Sequence, residues 1–405
     1  MKKQVYLYHC RLIPELSGGV GSENGSVLLE DGKIQGVWET SSPEAHQEAA
    51  GVDCQGKTLL PGFLDVHTHL TGLRGFGPEQ LKDPMKFFYK TLLFAESYLD
   101  YGFTTIRDCG AFLRVANKVR DAFAEGLGTG PRVLAGGLIL MPTEDKEDDP
   151  IYDMYVHADG AEEWRRAARK ELAEQADFVK IMASGSAFDR YGIPKQAILT
   201  REELQAAVDV ARRKHSYIAA HAHADEAIRM CVEEQARTIE HASFIGTKTI
   251  SLLKETKDVW LVPTVAAFYQ NPDTTPPQYQ YLIQKLKDML AISAGCLKEA
   301  YEAGCPMAFG TDSCPGMDQY EKGIEFQYRY EICGVKPLDI LKQATVESAR
   351  ALGIEKETGE IKAGLDGDLV LINGKPETDI SCLYGKPEAV WRAGVQVRGA
   401  ERRIR

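Results

Sequence analysis

The sequence predicts an α/β protein, namely a (β/α)8 barrel of the TIM type with a small β-sandwich domain built from both termini. Two observations predict this fold. Between residues 61 and 354, short apolar runs alternate with long helical stretches, and eight such runs fit a closed barrel better than an open sheet. At both ends of the chain, short strand-like segments are instead separated by turns.

The N-terminal 60 residues have the composition of a small β domain. Strand-like segments cover 6–12, 25–29 and 33–37, and the turn Glu30-Asp31-Gly32 separates the last two. Segments 367–372 and 389–395 near the other end are similar. We therefore expect residues 1–60 and 355–405 to pair into one small β domain beside a catalytic barrel of residues 61–354.

The middle of the chain supplies the strands and helices of the predicted barrel. The strand candidates are residues 62–66, 104–108, 132–134, 178–182, 217–220, 238–239, 259–262 and 306–309. Long helical stretches, such as 161–175, 201–215, 224–234 and 279–303, separate most of them. This alternation is typical of parallel strands joined by helical crossovers.

Composition and charge exclude several classes of protein. The 405 residues are 44% hydrophobic and 26% charged, which excludes a disordered chain. The net charge of −11 disfavours nucleic acid and anionic lipid as partners, because their phosphates would be repelled. No apolar run is long enough to cross a membrane. The nine cysteines form no C-x-x-C pair, so we expect reduced thiols and a cytoplasmic protein.

Residues that can bind metal recur where the predicted strands end. His67 and His69 follow the first strand, and residues two apart on a strand point to the same side. The others are Lys180 in the fourth, His221 and His223 after the fifth, His241 after the sixth and Asp312 after the eighth. The carboxyl ends of barrel strands open onto one face, so these side chains are expected to meet there.

Each of these residues also has a simpler structural interpretation. The histidines could be hydrogen-bonded core residues, and Asp312 could cap a helix. Lys180 lies in an apolar strand, where an ammonium is costly unless it is paired with a carboxylate or neutralised. Taken together, the set favours a metal centre.

In this pattern the chain resembles the amidohydrolase superfamily. The shared features are the H-x-H after the first strand, the lysine of the fourth, the histidines after the fifth and sixth, and the aspartate after the eighth. The resemblance implies two divalent metal ions; zinc suits the ligands, and manganese or cobalt would fit the same set. It also implies that carbon dioxide carboxylates Lys180 to a bridging carbamate. One ion would be held by His67, His69, Lys180 and Asp312, and the second by Lys180, His221 and His241.

The same resemblance implies a mechanism. A hydroxide between the two ions would be the nucleophile, because two cations lower the pKa of bound water. Asp312 would take its proton and pass it to the leaving amine, as a general base and then a general acid. One metal would polarise the scissile carbonyl.

Finer motifs resemble the prolidase and Xaa-amino-acid dipeptidase branch, and they lie at residues 61–70, 102–108, 180–185 and 262–264. This implies a dipeptide or N-acyl amino acid substrate with a free carboxylate. His223 stands where that branch places a residue, often a tyrosine, that contacts the carboxylate. Arg107 and Asp108 end the second strand and either orient the substrate or form a buried structural pair.

One segment departs from that branch. After the third strand the branch usually has a glycine-rich turn with a histidine that grips the carboxylate. Here residues 136–143 contain no histidine, an acidic stretch follows at 144–149, and the nearest histidine is His157. An acidic loop facing the pocket would disfavour an anionic substrate, although such runs are usually solvated surface.

Three other functions remain open from the sequence. A cyclic-amide hydrolase of the imidazolonepropionase kind would fit the barrel, but such relatives generally keep one metal and lack the lysine. A lactonase could use the same metal pair on an ester carbonyl. A non-catalytic scaffold would typically have lost ligands. The expected partner is a small-molecule substrate, and a homo-oligomer is compatible with the sequence.

Overall fold

A computed structural model describes residues 4–42, 46–72, 81–144, 152–188, 192–269, 275, 277, 280–315 and 323–399. The strands in these ranges are β1 (Gln4–Leu12), β2 (Ser22–Glu30), β3 (Lys33–Trp38), β4 (Ala50–Asp53), β5 (Thr58–Pro61), β6 (Phe63–Thr68), β7 (Phe103–Asp108), β8 (Arg132–Ala135), β9 (Ile139–Met141), β10 (Tyr155–His157), β11 (Val179–Met182), β12 (Ile218–Ala222), β13 (Thr238–His241), β14 (Trp260–Val262), β15 (Leu369–Ile372), β16 (Ala389–Arg392) and β17 (Val395–Gly399).

The helices within the same ranges are α1 (Pro84–Ser97), α2 (Val115–Ala124), α3 (Ala161–Ala173), α4 (Arg201–Arg213), α5 (Asp225–Glu233), α6 (Thr247–Glu255), α7 (Gln280–Glu302), α8 (Ile324–Glu331), α9 (Pro337–Lys342) and α10 (Ser348–Leu352). A π-helical turn, Gln343–Glu347, joins α9 to α10. The predicted α/β class is confirmed. Among the helices in the described ranges, none is both long and apolar enough to cross a membrane.

Strands from both ends of the chain form one eight-stranded sheet. Its order is β17-β16-β15-β5-β1-β2-β3, and β4 pairs with β1. Strand β15 runs antiparallel to β5, with Val370 opposite Leu60. Buried apolar side chains from both ends, including Leu7, Leu59 and Trp391, share one cluster. A sandwich of two facing layers and the domain boundaries at residues 60 and 354 stay predictions.

Two parallel sheets carry the middle of the chain. One has the order β6-β7-β8 and the other the order β10-β9-β11-β12-β13-β14. Strands β11, β12 and β13 are fully buried along their length. Parallel strands covered on both faces are usually continuous apolar runs, so each charged residue within them needs a specific partner or role.

Backbone hydrogen bonds join the two parallel sheets. The Val66 N–H donates to the Phe309 carbonyl at 2.9 Å, and the Ala308 N–H donates to the Leu261 carbonyl at 2.9 Å. On the other side, the Asp177 N–H donates to the Ala135 carbonyl at 2.9 Å. The segment around residues 307–309 therefore lies between β6 and β14, and β8 lies beside the start of β11. The carboxyl ends of these strands consequently face the same region.

One predicted feature lies outside the described residues. Of the acidic stretch at 144–149, only Glu144 is described. Its predicted effect on an anionic substrate is therefore not tested.

Candidate metal centre

The seven side chains singled out in the sequence line one cavity of about 120 Å³. They are His67, His69, Lys180, His221, His223, His241 and Asp312. The first two lie at the end of β6 and immediately after it, and Lys180, His221 and His241 belong to β11, β12 and β13. His223 follows β12 by one residue, and Asp312 follows the segment that joins β14 to β6. The fold therefore brings distant parts of the chain together at the strand ends.

Their ligand atoms form two overlapping groups. In one, atoms of His67, His241 and Asp312 all lie within 4.8 Å of one another. In the other, atoms of His221, His223 and His241 do the same. Asp312 Oδ1 lies 3.4 Å from His69 Nε2 and 3.6 Å from His67 Nε2. Each group has the donor types that divalent transition metals prefer.

Hydrogen bonds at Nδ1 fix the orientation of four of the five imidazoles. The acceptors or partners are the Glu240 carboxylate for His67, the Gly110 carbonyl for His69, the Ser243 hydroxyl for His223 and the Thr264 hydroxyl for His241, at 2.7 to 2.8 Å. Each of these rings therefore keeps Nε2 for the cavity. His221 is held the other way, with Nε2 3.4 Å from the Gly185 carbonyl.

Burial keeps these imidazoles neutral. It lowers the pKa of His69 to about 4 and the pKa of His223 to about 3. It also lowers the pKa values of His67, His221 and His241 well below their ordinary value. Since metals bind the neutral form of histidine, the rings are in their ligand state at neutral pH.

Asp312 has the opposite shift. Burial raises the pKa of Asp312 to about 7, against the attraction of the nearby Lys180. A carboxyl group with a pKa near neutrality can both accept and give up a proton at the pH of the cell.

Lys180 is buried, and no partner for its ammonium group is found among the described residues. Its side chain is 1% exposed, and Nζ has no hydrogen bond to any residue that the structure describes. The carboxylate pairing considered as a simple alternative for this lysine is therefore not found in that part of the chain. An unpaired ammonium in the interior is costly, so this nitrogen fits a group that is modified or that faces a bound ligand. The donor set around it fits divalent metal.

Sequence reasoning missed one buried carboxylate of the site. Glu240, the residue before His241 in β13, is 0% exposed and accepts a hydrogen bond from His67 Nδ1 at 2.7 Å. Burial would raise its pKa, but Arg107 and His67 lower that pKa below its ordinary value. The available signal was a charged residue inside a buried strand, the same signal that marked Lys180.

Of the two interpretations left open for Arg107 and Asp108, a pair between these two side chains is not what the structure shows. Arg107 Nη2 lies 2.7 Å from Glu240, because successive side chains of β7 point to opposite faces. The Asp108 carboxylate instead accepts the backbone N–H groups of Leu70 and Gly110. Asp108 thereby shapes the turns that follow β6 and β7.

The rest of the cavity wall is mostly apolar. Among its lining residues are Ile139, Met154, Met182, Phe188, Phe268 and Leu282. Cys314, two residues beyond Asp312, also lines it. His157 is not among the lining residues that the structure describes, and its ring stacks on Tyr152 with 4.2 Å between centroids. The cavity thus combines a polar floor of ligand atoms with apolar sides.

Comparison with known proteins agrees with this arrangement. An ochratoxinase of Aspergillus niger is 26% identical over 432 aligned residues, which cover 98% of this chain and 87% of the relative. The structure of a prolidase complexed with N-methylphosphonate-L-proline is 26% identical, with a TM-score of 0.85 and coverage of 98% and 100% of the two chains. That of a Xaa-Pro dipeptidase with bound methionine in the active site is 25% identical, with a TM-score of 0.84 and the same coverage.

A family model extends over most of the chain. The model of the Amidohydrolase family matches residues 58–399, which include every residue of the candidate centre. The match confirms the resemblance drawn from the strand-end residues, and prolidases stand among the structural neighbours. The chain therefore belongs to the amidohydrolase family of hydrolases.

Proposed function

We propose that this protein is a metal-dependent hydrolase that cleaves the C–N amide bond of a small substrate, a dipeptide or an N-acyl amino acid with a free carboxylate. One observation carries the proposal. Five buried histidines, Asp312 and Lys180 line a single cavity at the ends of parallel strands, and Lys180 Nζ has no hydrogen-bond partner among the described residues. The similarity to a prolidase and a Xaa-Pro dipeptidase supports the substrate class.

We further propose that the two parallel sheets belong to one (β/α)8 barrel of residues 61–354. The hydrogen bonds of Val66 to Phe309, of Ala308 to Leu261 and of Asp177 to Ala135 support a closed ring of strands. The strands from residues 1–60 and 355–405 would then form the separate small β domain. Catalytic residues of such barrels lie at the carboxyl ends of the strands, where this cavity is found.

The proposed metal ligands divide into two sets that share Lys180. His67, His69, Lys180 and Asp312 would hold one ion, and Lys180, His221 and His241 would hold the other. Loss of a proton from the Lys180 ammonium, followed by carboxylation of the amine by carbon dioxide with release of a second proton, would give an anionic ligand. The lack of a hydrogen bond to Lys180 Nζ within the described part of the chain supports this assignment. Zinc suits a set of imidazole and carboxylate ligands at a hydrolytic site.

When bound, such ions polarise a carbonyl and lower the pKa of water. The side chains of the protein would transfer protons and orient the substrate. Asp312 would accept the proton of the attacking water and then deliver it to the leaving amine nitrogen. Its carboxylate lies beside His67 and His69, at 3.6 and 3.4 Å from their Nε2 atoms, where the first of the two proposed ions would be held.

The remaining lining residues would orient the substrate. The Ser243 hydroxyl can donate to His223 Nδ1, which leaves the Nε2–H of that ring to donate to a substrate carboxylate. The side chains of Met182, Phe188 and Phe268 offer an apolar surface to the acyl group or side chain. We therefore expect substrates with apolar residues to be preferred over charged ones.

Metal content and amide hydrolysis, measured on one preparation, test the proposal. Protein produced with zinc and bicarbonate should hold two ions per chain and should hydrolyse members of a panel of dipeptides and N-acyl amino acids. Lys180→Ala should lose at least one ion in elemental analysis. Full metal occupancy in that variant would contradict the carbamate bridge.

The same panel separates the alternative functions. Two ions without amide turnover would favour a lactonase, which lactone substrates would then identify, whereas one ion with turnover of cyclic amides would favour a cyclic-amide hydrolase. One ion or none in the unaltered protein would contradict the two-metal proposal. The cytoplasmic location and a homo-oligomeric state stay predictions from the sequence.

A further inference from the structure

We propose that Glu240 is a positioning residue that holds His67 in its metal-binding orientation and is itself held by Arg107. The inference rests on the proposed function, because it concerns a ligand of the proposed metal centre. It adds to that function a pair of residues that were not among the candidate ligands.

The contact between Glu240 and His67 joins two strands across the site. Glu240 Oε2 lies 2.7 Å from His67 Nδ1, and the two side chains are 0% and 1% exposed. A carboxylate can only accept, so His67 Nδ1 must carry the proton and Nε2 must carry the lone pair. This tautomer presents Nε2 toward the cavity, 3.6 Å from Asp312. The contact thus sets both the rotation and the tautomer of the ring.

Arg107 fixes the other oxygen of the same carboxylate. Its Nη2 lies 2.7 Å from Glu240 Oε1, its Nη1 donates to the Thr238 hydroxyl at 2.9 Å, and its Nε donates to the Val66 carbonyl at 2.5 Å. The guanidinium is fully buried and lies over the Phe178 ring at 5.1 Å. Because Nε, Nη1 and Nη2 of Arg107 all make hydrogen bonds, the guanidinium is fixed in place, and it fixes the Glu240 carboxylate in turn.

His67 differs in this respect from the other rings of the centre. His69, His223 and His241 bond through Nδ1 to uncharged oxygen atoms of Gly110, Ser243 and Thr264. Only His67, among the five rings of the centre, has an ion-paired carboxylate at that position. A carboxylate on the far side of a ligand imidazole makes the ring a stronger donor and fixes its direction, and loss of such a partner typically costs 10- to 100-fold in metal affinity.

A second buried carboxylate, which pairs with a partly exposed arginine, provides a control. Glu171 is also 0% exposed, and both of its oxygens bond to Arg114. Its carboxylate additionally accepts the Leu138 N–H, but it does not contact any of the five rings. Glu171→Gln therefore removes a buried carboxylate from an arginine without touching a proposed ligand.

The test compares metal affinity in Glu240→Gln, Glu240→Asp, Glu171→Gln and the unaltered protein. Zinc dissociation constants come from competition with a chromophoric chelator, and the visible spectrum of the cobalt-substituted protein reports the ligand field. We expect Glu240→Gln to lower the affinity for one of the two ions by about 10- to 100-fold and to change the cobalt spectrum. Glu171→Gln should leave both readouts unchanged, even if its melting temperature falls.

Glu240→Asp keeps the charge beside Arg107 but is one methylene too short to reach His67. Glu240→Asp should therefore lower the affinity for the same ion. This variant replaces Glu240→Gln in the test if the glutamine variant does not fold. Unchanged affinity and spectrum in either folded variant would overturn the positioning role, as would an equal loss in Glu171→Gln. Failure of the unaltered protein to bind zinc would instead contradict the proposed function.

Discussion

Two residues of the centre have unusual backbone conformations. His241 has a φ of 68° and Asp312 a φ of 56°, which is the left-handed region that residues other than glycine rarely adopt. Such conformations cost about 1–3 kcal/mol each and persist where the surrounding structure imposes them. Here the Asp312 N–H donates to the His67 carbonyl at 2.8 Å, and the Ala242 N–H after His241 donates to the Ala222 carbonyl at 3.1 Å. The strand ends thus hold both side chains toward the cavity.

Asp312→Asn should uncouple stability from activity. Burial raises the pKa of Asp312 to about 7, so the folded metal-free protein binds a proton here that the unfolded chain, with a pKa near 3.8, releases. This carboxylate therefore destabilises the fold increasingly as the pH rises from about 4 to 7. Without metal, the asparagine variant should gain about 2–3 kcal/mol more stability at pH 8 than at pH 5, measured by urea unfolding.

The same substitution should reduce amide turnover by at least about 100-fold, because the proposed proton carrier is lost. Near-normal turnover would exclude Asp312 from that role. A stability change that is the same at both pH values would contradict the raised pKa.

His223 has two possible roles that one variant separates. It lines the cavity as a carboxylate contact would, yet it also lies within the three-histidine group that could bind an ion. We expect His223→Asn to keep both ions and to raise KM for carboxylate-bearing substrates by about tenfold or more, with little effect on the corresponding amides. Loss of an ion in elemental analysis would instead assign His223 as a ligand.

At the scale of the elements, the centre depends on close contact between strands. A Cβ added at Gly310 would lie 2.6 Å from Val262 Cγ1 and 2.8 Å from His67 Cβ, which is closer than atoms can approach. The residue therefore has to be glycine for the segment after residue 309 to pack beside β6 and β14. The geometry of His67 follows from this packing.

Gly310→Ala should accordingly destabilise the protein by about 1–3 kcal/mol and also weaken metal binding. The matched control is Gly295→Ala in α7, where an added Cβ meets nothing within 4 Å. An alanine at that exposed helical position should stabilise the protein by about 0.5–1 kcal/mol and leave metal affinity unchanged. Equal effects of the two substitutions would show that the segment beside His67 tolerates a side chain.

At the scale of the whole molecule, bound metal should contribute a large share of the free energy of unfolding. The proposed ligands come from β6, β11, β12, β13 and the segment after residue 309, so an ion would link parts of the chain that are far apart in sequence. A ligand at 100 times its dissociation constant adds about 2.7 kcal/mol per site. Removal of metal by a chelator should lower the melting temperature by several degrees in scanning calorimetry.

Zinc should restore the melting temperature, whereas magnesium should not, because magnesium prefers oxygen ligands and the site is rich in nitrogen. A melting temperature that is the same with and without chelator would contradict a structural contribution of the ions.

The amino-acid sequence by itself determined the α/β class, the family and the seven residues that line the cavity. It could do so because strand-end residues such as His67 and Lys180 contrast with the apolar runs around them, and this contrast is local in the chain. Their roles as ligands, and the closed barrel, remain proposals.

Only the tertiary structure decided which charged groups meet. The sequence left open whether Arg107 pairs with Asp108 or orients the substrate. In the structure Arg107 pairs with Glu240, 133 residues away, and Glu240 accepts a hydrogen bond from His67, 173 residues away. The sequence contains no local signal for such pairs, because the side chains come from β6, β7 and β13 and approach one another only across the strands. The physical reason is that a buried charge is costly unless it is paired, while the packing of the strands determines which partner lies within hydrogen-bonding distance.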